Sequence, residues 1–216
     1  YHQNIRSILA DQYNISGGAW ALRDNEKQTN EKMQLLNCDA GISDWPGSEP
    51  FTELVEFQVD DIRINPWDQA ARWNTAIPIQ KGDALLLVVW MNNIDAAAHT
   101  HNITHVFEAT TSPFKKSLYQ DGLIKSGWRQ WLLPFEADTN YAANEARFQL
   151  NLGHMQGTIQ IAGVALLNFG VRYSVDELPV STHHLEYDGR EDNAVWRAEA
   201  LKRINKIRKG DMRIRI

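Results

Sequence analysis

The sequence predicts an all-β fold, an antiparallel β-sandwich or jelly roll, followed by one C-terminal amphipathic helix. Three observations lead there. Between Ala146 and Leu152, Phe148, Leu150 and Leu152 alternate with Arg147, Gln149 and Asn151, the period of a strand with one buried and one wetted face. Short apolar or alternating runs recur along the chain between Gly, Pro and Asn turns, with no helical period among them, the pattern of a sandwich. From Arg190 to Lys209 the period changes: Val195, Trp196, Leu201, Ile204 and Ile207 recur at helical spacing among Lys and Arg.

Residues 1–30 read weakly, with a turn at Ser16-Gly17-Gly18 and short strand candidates at Trp20-Ala21-Leu22 and Met33–Asn37. Two Gly and two Pro between Gly41 and Pro50 read as a loop around Asp44-Trp45. Phe51–Val59 is a strand with Val55, Phe57 and Val59 on one face and Glu56, Gln58 and Asp60 on the other. Pro66 bars an ordinary central strand in the run Asn65–Trp73. After Ile77–Ile79 and the turn Lys81-Gly82-Asp83, Ala84–Met91 is apolar on both faces, which predicts a central strand covered on both sides. Ile103–Thr110, Ser117–Gln120 and Gly127–Phe135 are further strands. The set closes with Ala146–Asn168, read as a hairpin whose turn is Gly153–Gly157. Gly210 ends the helix, with Lys206, Arg208 and Lys209 suited to its last turns. Met212–Ile216 begins an alternating strand with no partner in the sequence, so the chain reads as a fragment of a longer polypeptide.

Composition narrows the function. Of 216 residues, 43% are hydrophobic, enough for a core. No apolar run approaches the roughly 18 residues that span a bilayer, no membrane partner is expected, and the start does not resemble a signal peptide, so the N-terminus reads as mature or internal. Cys38 is the only cysteine and cannot form an intramolecular disulfide; its surroundings do not mark a nucleophile. The net charge of −5 hides an asymmetry. Residues 189–216 hold nine Lys/Arg against four Asp/Glu, leaving 13 against 23 in the rest. An acidic body is a poor match for a phosphate backbone, so no nucleic-acid partner is expected.

Few motifs carry chemistry. His99, His101 and His105 share one face of an extended chain and could hold zinc with an open position; the competing reading is a polar loop entering a strand, with the histidines at its solvated rim. The acidic pairs Glu53/Glu56 and Glu186/Asp188 have no spacing that specifies an acid/base pair. Nucleophile elbow, phosphate loop and dinucleotide fingerprint are missing from the sequence. Asn14-Ile15-Ser16 and Asn102-Ile103-Thr104 match the glycosylation sequon. What remains is a binding surface. A sugar site needs flat rings for the apolar faces of pyranoses and fixed donors and acceptors for their hydroxyls. Arg147, Gln149 and Asn151 supply planar polar groups, and Glu108 and Gln58 lie at polar positions of other strands. Trp67, Trp73, Tyr119, Trp128 and Trp131 are aromatic candidates, while Trp90 belongs with the core.

Pro66-Trp67-Asp68-Gln69, Lys81-Gly82-Asp83 before LLLVVW, Gly127-Trp128, Leu152-Gly153 and GTIQIAGVALLNFG resemble, in shared order over Phe51–Leu178, the non-catalytic carbohydrate-binding modules with a galactose-binding-like jelly roll. Gly189-Arg190-Glu191, Ala194–Arg197 and Arg203–Asp211 are similar to the lead-in of family 10 glycoside hydrolases, retaining endo-β-1,4-xylanases that such modules often precede. The resemblance implies a module at 1–179, a linker at 180–189 and the first segment of a truncated catalytic domain at 190–216. It implies no catalytic residue in this chain, because the barrel with both catalytic glutamates is missing. The expected partner is a polysaccharide, β-1,4-xylan, with a tethered catalytic domain on the C-terminal side and a secreted or cell-surface location. Expected ligand-binding residues are Trp67, Tyr119, Gln149, Asn151, Arg147, Glu108 and Trp128; where such modules often show a glutamate, this strand has Gln149 and Asn151. No cofactor is required; structural calcium is common in such folds, and the sequence names no ligands for it. The rival readings are a structural module that packs against the barrel without binding sugar, and a small sandwich hydrolase using His99, His101 and His105.

Overall fold

The computed structural model describes residues 1–95, 100–181 and 194–207. The chain divides into two compact units, residues 1–184 and 185–216. In the first, the elements run α1 (His2–Tyr13), β1 (Ala19–Trp20), α2 (Glu26–Glu31), β2 (Gln34–Leu36), β3 (Asp39–Asp44), β4 (Glu53–Val59), β5 (Ala70–Asn74), β6 (Ala84–Asn93), β7 (Thr100–Ala109), β8 (Lys116–Lys125), β9 (Arg129–Glu136), β10 (Ala146–Asn151) and β11 (Gly157–Asn168). Short 3-10 turns lie at Pro66–Asp68 and Val175–Glu177. The second unit contributes α3 (Val195–Ile207), in which no described side chain is buried.

The first unit is an antiparallel β-sandwich. One sheet has the order β3-β4-β11-β6-β9, with β1 pairing the end of β11 that β4 does not reach. The other has the order β2-β5-β10-β7-β8. The core forms where the alternating apolar faces meet. Phe57, Leu87, Met91 and Ile161 come from one sheet and Trp73, Ile103, Phe107 and Phe148 from the other. Trp73 stacks on Phe148, its direct cross-strand neighbour, with ring centroids 5.4 Å apart, a pairing favoured for aromatic rings.

β6 is central, between β11 and β9, and buried on both faces. Its second face lies under α1: Ile5 and Leu9 pack with Leu86, Val88, Leu132 and Leu167 in a separate apolar cluster. The helix was not anticipated. His2, Ile5 and Leu9 are its only buried residues, so its apolar stripe is one residue wide.

Two further expectations are corrected. β10 and β11 do not form a hairpin, because β10 pairs β5 and β7 in one sheet while β11 pairs β4 and β6 in the other. Gly153–Gly157 therefore carries the chain between layers. Alternation reports which face is buried, not which strand lies alongside. Gly157 has φ +141°, and a Cβ there would meet the Asp95 carboxylate at 2.5 Å, so the crossing requires glycine. The second correction is at Gly41–Asp44, which continues β3, an edge strand on β4, rather than starting a loop.

Candidate functional site

On the outer face of the five-stranded sheet lies a cleft of about 340 Å³. Its lining follows from strand parity. On β10 the even positions, Phe148 and Leu150, enter the core, which turns Arg147, Gln149 and Asn151 outward. On β7, Ile103 and Phe107 face inward, leaving Val106 and Glu108 for the cleft. β5 adds Arg72 between the buried Ala71 and Trp73. Register then aligns these side chains in rows. Arg72, Gln149, Val106 and Tyr119 are direct neighbours across four strands, and Arg147, Glu108 and Lys116 form a second row. At strand spacing the first row runs roughly 14 Å.

Two aromatic rings stand proud of this floor. Trp67, held in the 3-10 turn by Pro66 at its first position, is 48% exposed, and Tyr119 on β8 is 55% exposed. Phe114 and Pro113 add apolar edge from the β7–β8 loop. Between the rings, the polar floor is held in place by its own hydrogen bonds. Arg72 Nε donates to Gln149 Oε1 at 2.6 Å, and Gln149 Nε2 donates to Asn151 Oδ1. Arg147 donates to Glu108 Oε1 from Nε (3.1 Å) and Nη2 (2.6 Å), and Lys116 Nζ pairs with Glu108 Oε2 at 2.9 Å. Gln149 is only 2% exposed, so its amide orientation is set by these partners rather than by water. Burial, then the neighbouring Arg147 guanidinium, lowers the Arg72 pKa. The arrangement offers planar donors and acceptors at fixed positions between two flat apolar surfaces. Such a floor suits hydrogen bonds to hydroxyls, with rings free to stack.

Six of the seven expected ligand-binding residues, Trp67, Tyr119, Gln149, Asn151, Arg147 and Glu108, come together here. Trp128 does not. It precedes β9, a strand of the opposite sheet, and packs on Phe51 (4.7 Å) and Trp45 (5.5 Å). Trp73 and Trp131 are core residues. Sequence reasoning passed over Arg72, Lys116, Val106 and Phe114. The signal for Arg72 was its place between two core residues, hidden by the Pro66 run that argued against a strand.

His99 lies outside the described residues. His101 and His105 are fully buried on the core side of β7, sharing parity with Ile103 and Phe107, and the His105 ring lies 5.3 Å from that of Trp131. They therefore face away from the cleft, not at a solvated rim. Burial lowers the pKa of His101, as expected for an imidazole kept neutral in an apolar layer. Among the described residues, no three His, Cys, Asp or Glu side chains come together to hold a metal ion. A separate polar chain runs beside the cleft on the same face: Thr104 Oγ1 donates to Asp121 Oδ1 at 2.7 Å and lies 2.7 Å from His154 Nε2. With the hydroxyl proton on Asp121, His154 Nε2 must be the donor to Thr104. Cys38 is half-buried and its thiol pKa is raised by burial.

No family model matches the sequence, and no curated protein sequence matches it. Solved structures do resemble it. The CBM22-1 xylan-binding domain of Xyn10C from Paenibacillus barcinonensis superposes with a TM-score of 0.51 at 5% identity, over 72% of this chain and 98% of that one. An arabinose-bound GH51 α-L-arabinofuranosidase, MgGH51, gives 0.54 at 10% identity, over 74% of this chain and 27% of that one. A CBM4 module gives 0.49 at 15% identity, over 64% of this chain and 95% of that one. The fold is shared with carbohydrate-binding modules. At these identities the likeness is one of fold, and the cleft must be argued from its own residues.

Proposed function

We propose that this chain is a non-catalytic module that binds a β-linked plant polysaccharide, xylan, along the cleft between Trp67 and Tyr119. The observation that carries the reading is the pair of exposed rings bracketing a buried, mutually hydrogen-bonded amide floor. A protein has little reason to expose indole and phenol rings beside a buried amide relay unless a ligand covers both. Xylan is favoured over other β-glycans by the sequence resemblance and by the likeness in fold to the xylan-binding domain of Xyn10C. The mechanism is tethering. Residues 190–216, similar to the lead-in of a family 10 xylanase, join the module to a catalytic domain in a secreted or cell-surface protein. Holding that domain on its substrate raises local concentration without new chemistry.

Calorimetric titration with xylohexaose tests this. Saturable binding is expected, with Trp67→Ala and Tyr119→Ala each weakening it about tenfold, since each loses one stacking surface. No reducing ends should be released. Binding unchanged in both variants would move the site elsewhere, and no binding at all would favour the purely structural module.

A further inference from the structure

The cleft is electropositive in an acidic molecule. Its lining includes three cations, Arg72, Arg147 and Lys116, against one carboxylate, Glu108, whereas residues 1–188 carry ten more acidic than basic side chains. Glu108 is fully engaged: one oxygen takes two hydrogen bonds from Arg147 and the other pairs with Lys116. Arg72 lies on the strand beyond, and the hydrogen bond described for its guanidinium is the one from Nε to the neutral Gln149 amide. Half-buried, diagonal to a second guanidinium on the next strand, and without a carboxylate of its own, it keeps its two terminal amino groups for something else. A guanidinium held by Nε presents those two donors as a fork that matches a carboxylate. A neutral glycan needs hydroxyl partners, and Gln149, Asn151 and Tyr119 supply them. It does not need a net charge of about two kept in a cleft, where like-charge repulsion costs stability.

We infer that the cleft takes an acidic glycan, and that Arg72 receives the carboxylate of a hexuronic acid unit carried on the polysaccharide. The inference rests on the sugar-binding reading above and specifies its substrate class. Trp67 and Tyr119 stack on the main chain, Gln149 and Asn151 meet its hydroxyls, and the uronate side group is directed to the β5 side of the cleft. The net negative charge of residues 1–188 disfavours dense polyanions, so sparse uronate substitution suits the site better than a continuous polyuronate.

The test compares a glucuronic acid-substituted xylo-oligosaccharide with the same oligosaccharide after chemical reduction of its carboxyl to an alcohol, and with unsubstituted xylohexaose. The acidic form should bind about tenfold more tightly than its reduced form, equivalent to about 1.4 kcal/mol, and raising the salt concentration should shrink that advantage. In Arg72→Gln the acidic and reduced forms should bind equally, even if loss of the bond to Gln149 weakens all three ligands alike, and an unchanged urea midpoint shows that the variant is folded; an acidic-form advantage that survives in this variant would overturn the assignment of Arg72. Equal binding of acidic and reduced forms by the unaltered protein would overturn this inference and leave sugar binding intact. Failure of all three ligands would overturn the sugar-binding reading itself.

Discussion

Glu108 is the residue on which the cleft wall depends. Its side chain is 6% exposed and accepts from Arg147, itself 14% exposed, while also pairing with Lys116. Removing it leaves a nearly buried guanidinium with no anion, and such uncompensated charge costs far more than the pair contributes. Glu108→Ala should therefore lower unfolding free energy by about 3 kcal/mol, read from urea denaturation, whereas Glu108→Gln, which keeps an acceptor for Arg147, should lose about half as much. Equal and small losses would mean that Arg147 finds other partners. At this scale the sequence was partly legible. Parity alone placed Arg147, Gln149 and Asn151 on one face. It also held the answer for His101 and His105, since their parity is that of Ile103 and Phe107, but three histidines in close succession drew attention from the neighbours that settled the matter. Trp128 was misplaced for another reason: the strand read over Gly127–Phe135 begins at Arg129 and lies in the opposite sheet, which alternation does not report.

Among the elements, strands were legible where alternation was clean and helices were not where the apolar stripe was thin. α1 has only His2, Ile5 and Leu9 to bury, yet Ile5 and Leu9 join Leu86 and Val88 on the second face of β6, while Arg6 lies over the Trp20 ring at 4.7 Å. The sequence implied a cover by making Ala84–Met91 apolar throughout, without saying what supplied it. The docking has a pH dependence. Burial, then the charge of the adjacent N-terminal amine, lowers the His2 pKa to about 4 from 6.5, with Asp24 opposing and Arg6 adding slightly to the shift; its ring sits 4.6 Å from that of Trp20. The unfolded chain then binds the proton that the folded one refuses. Stability is full above pH 6.5 and falls as pH drops toward 4, by up to about 3 kcal/mol from this residue. Urea midpoints measured across that interval should fall in the unaltered protein and fall less steeply in His2→Phe, which keeps the ring and loses the proton. His101 and His154, both with pKa lowered by burial, add to the slope in the same direction. A variant as pH-sensitive as its parent would remove His2 from this account.

At the scale of the whole molecule, the layers were legible and their wiring was not. Alternating runs imply two packed sheets, but the route of the chain between them depends on contacts far apart in sequence, so a turn such as Gly153–Gly157 reads as a hairpin whether it joins neighbours or crosses between layers. The division of the chain makes a separate prediction. Residues 1–181 possess a continuous core and the whole cleft. α3, by contrast, leaves Val195, Trp196, Leu201, Ile204 and Ile207 exposed, and a 13-residue helix with no buried side chain among those described is marginal in water. If the sandwich is thermodynamically self-sufficient, a chain ending at residue 184 should unfold in a single transition at the same temperature as the full chain. It should also bind xylohexaose with the same affinity. The helical circular dichroism lost on truncation should be small, because a 13-residue helix with no buried side chain is largely unfolded in water. A peptide spanning residues 190–216 should be largely unfolded alone and gain helicity when joined to the rest of the catalytic domain proposed to follow it, where its apolar stripe would find a surface. A fall in melting temperature on truncation, or loss of ligand binding, would instead make residues 185–216 part of the module's own structure, and the boundary would have to move.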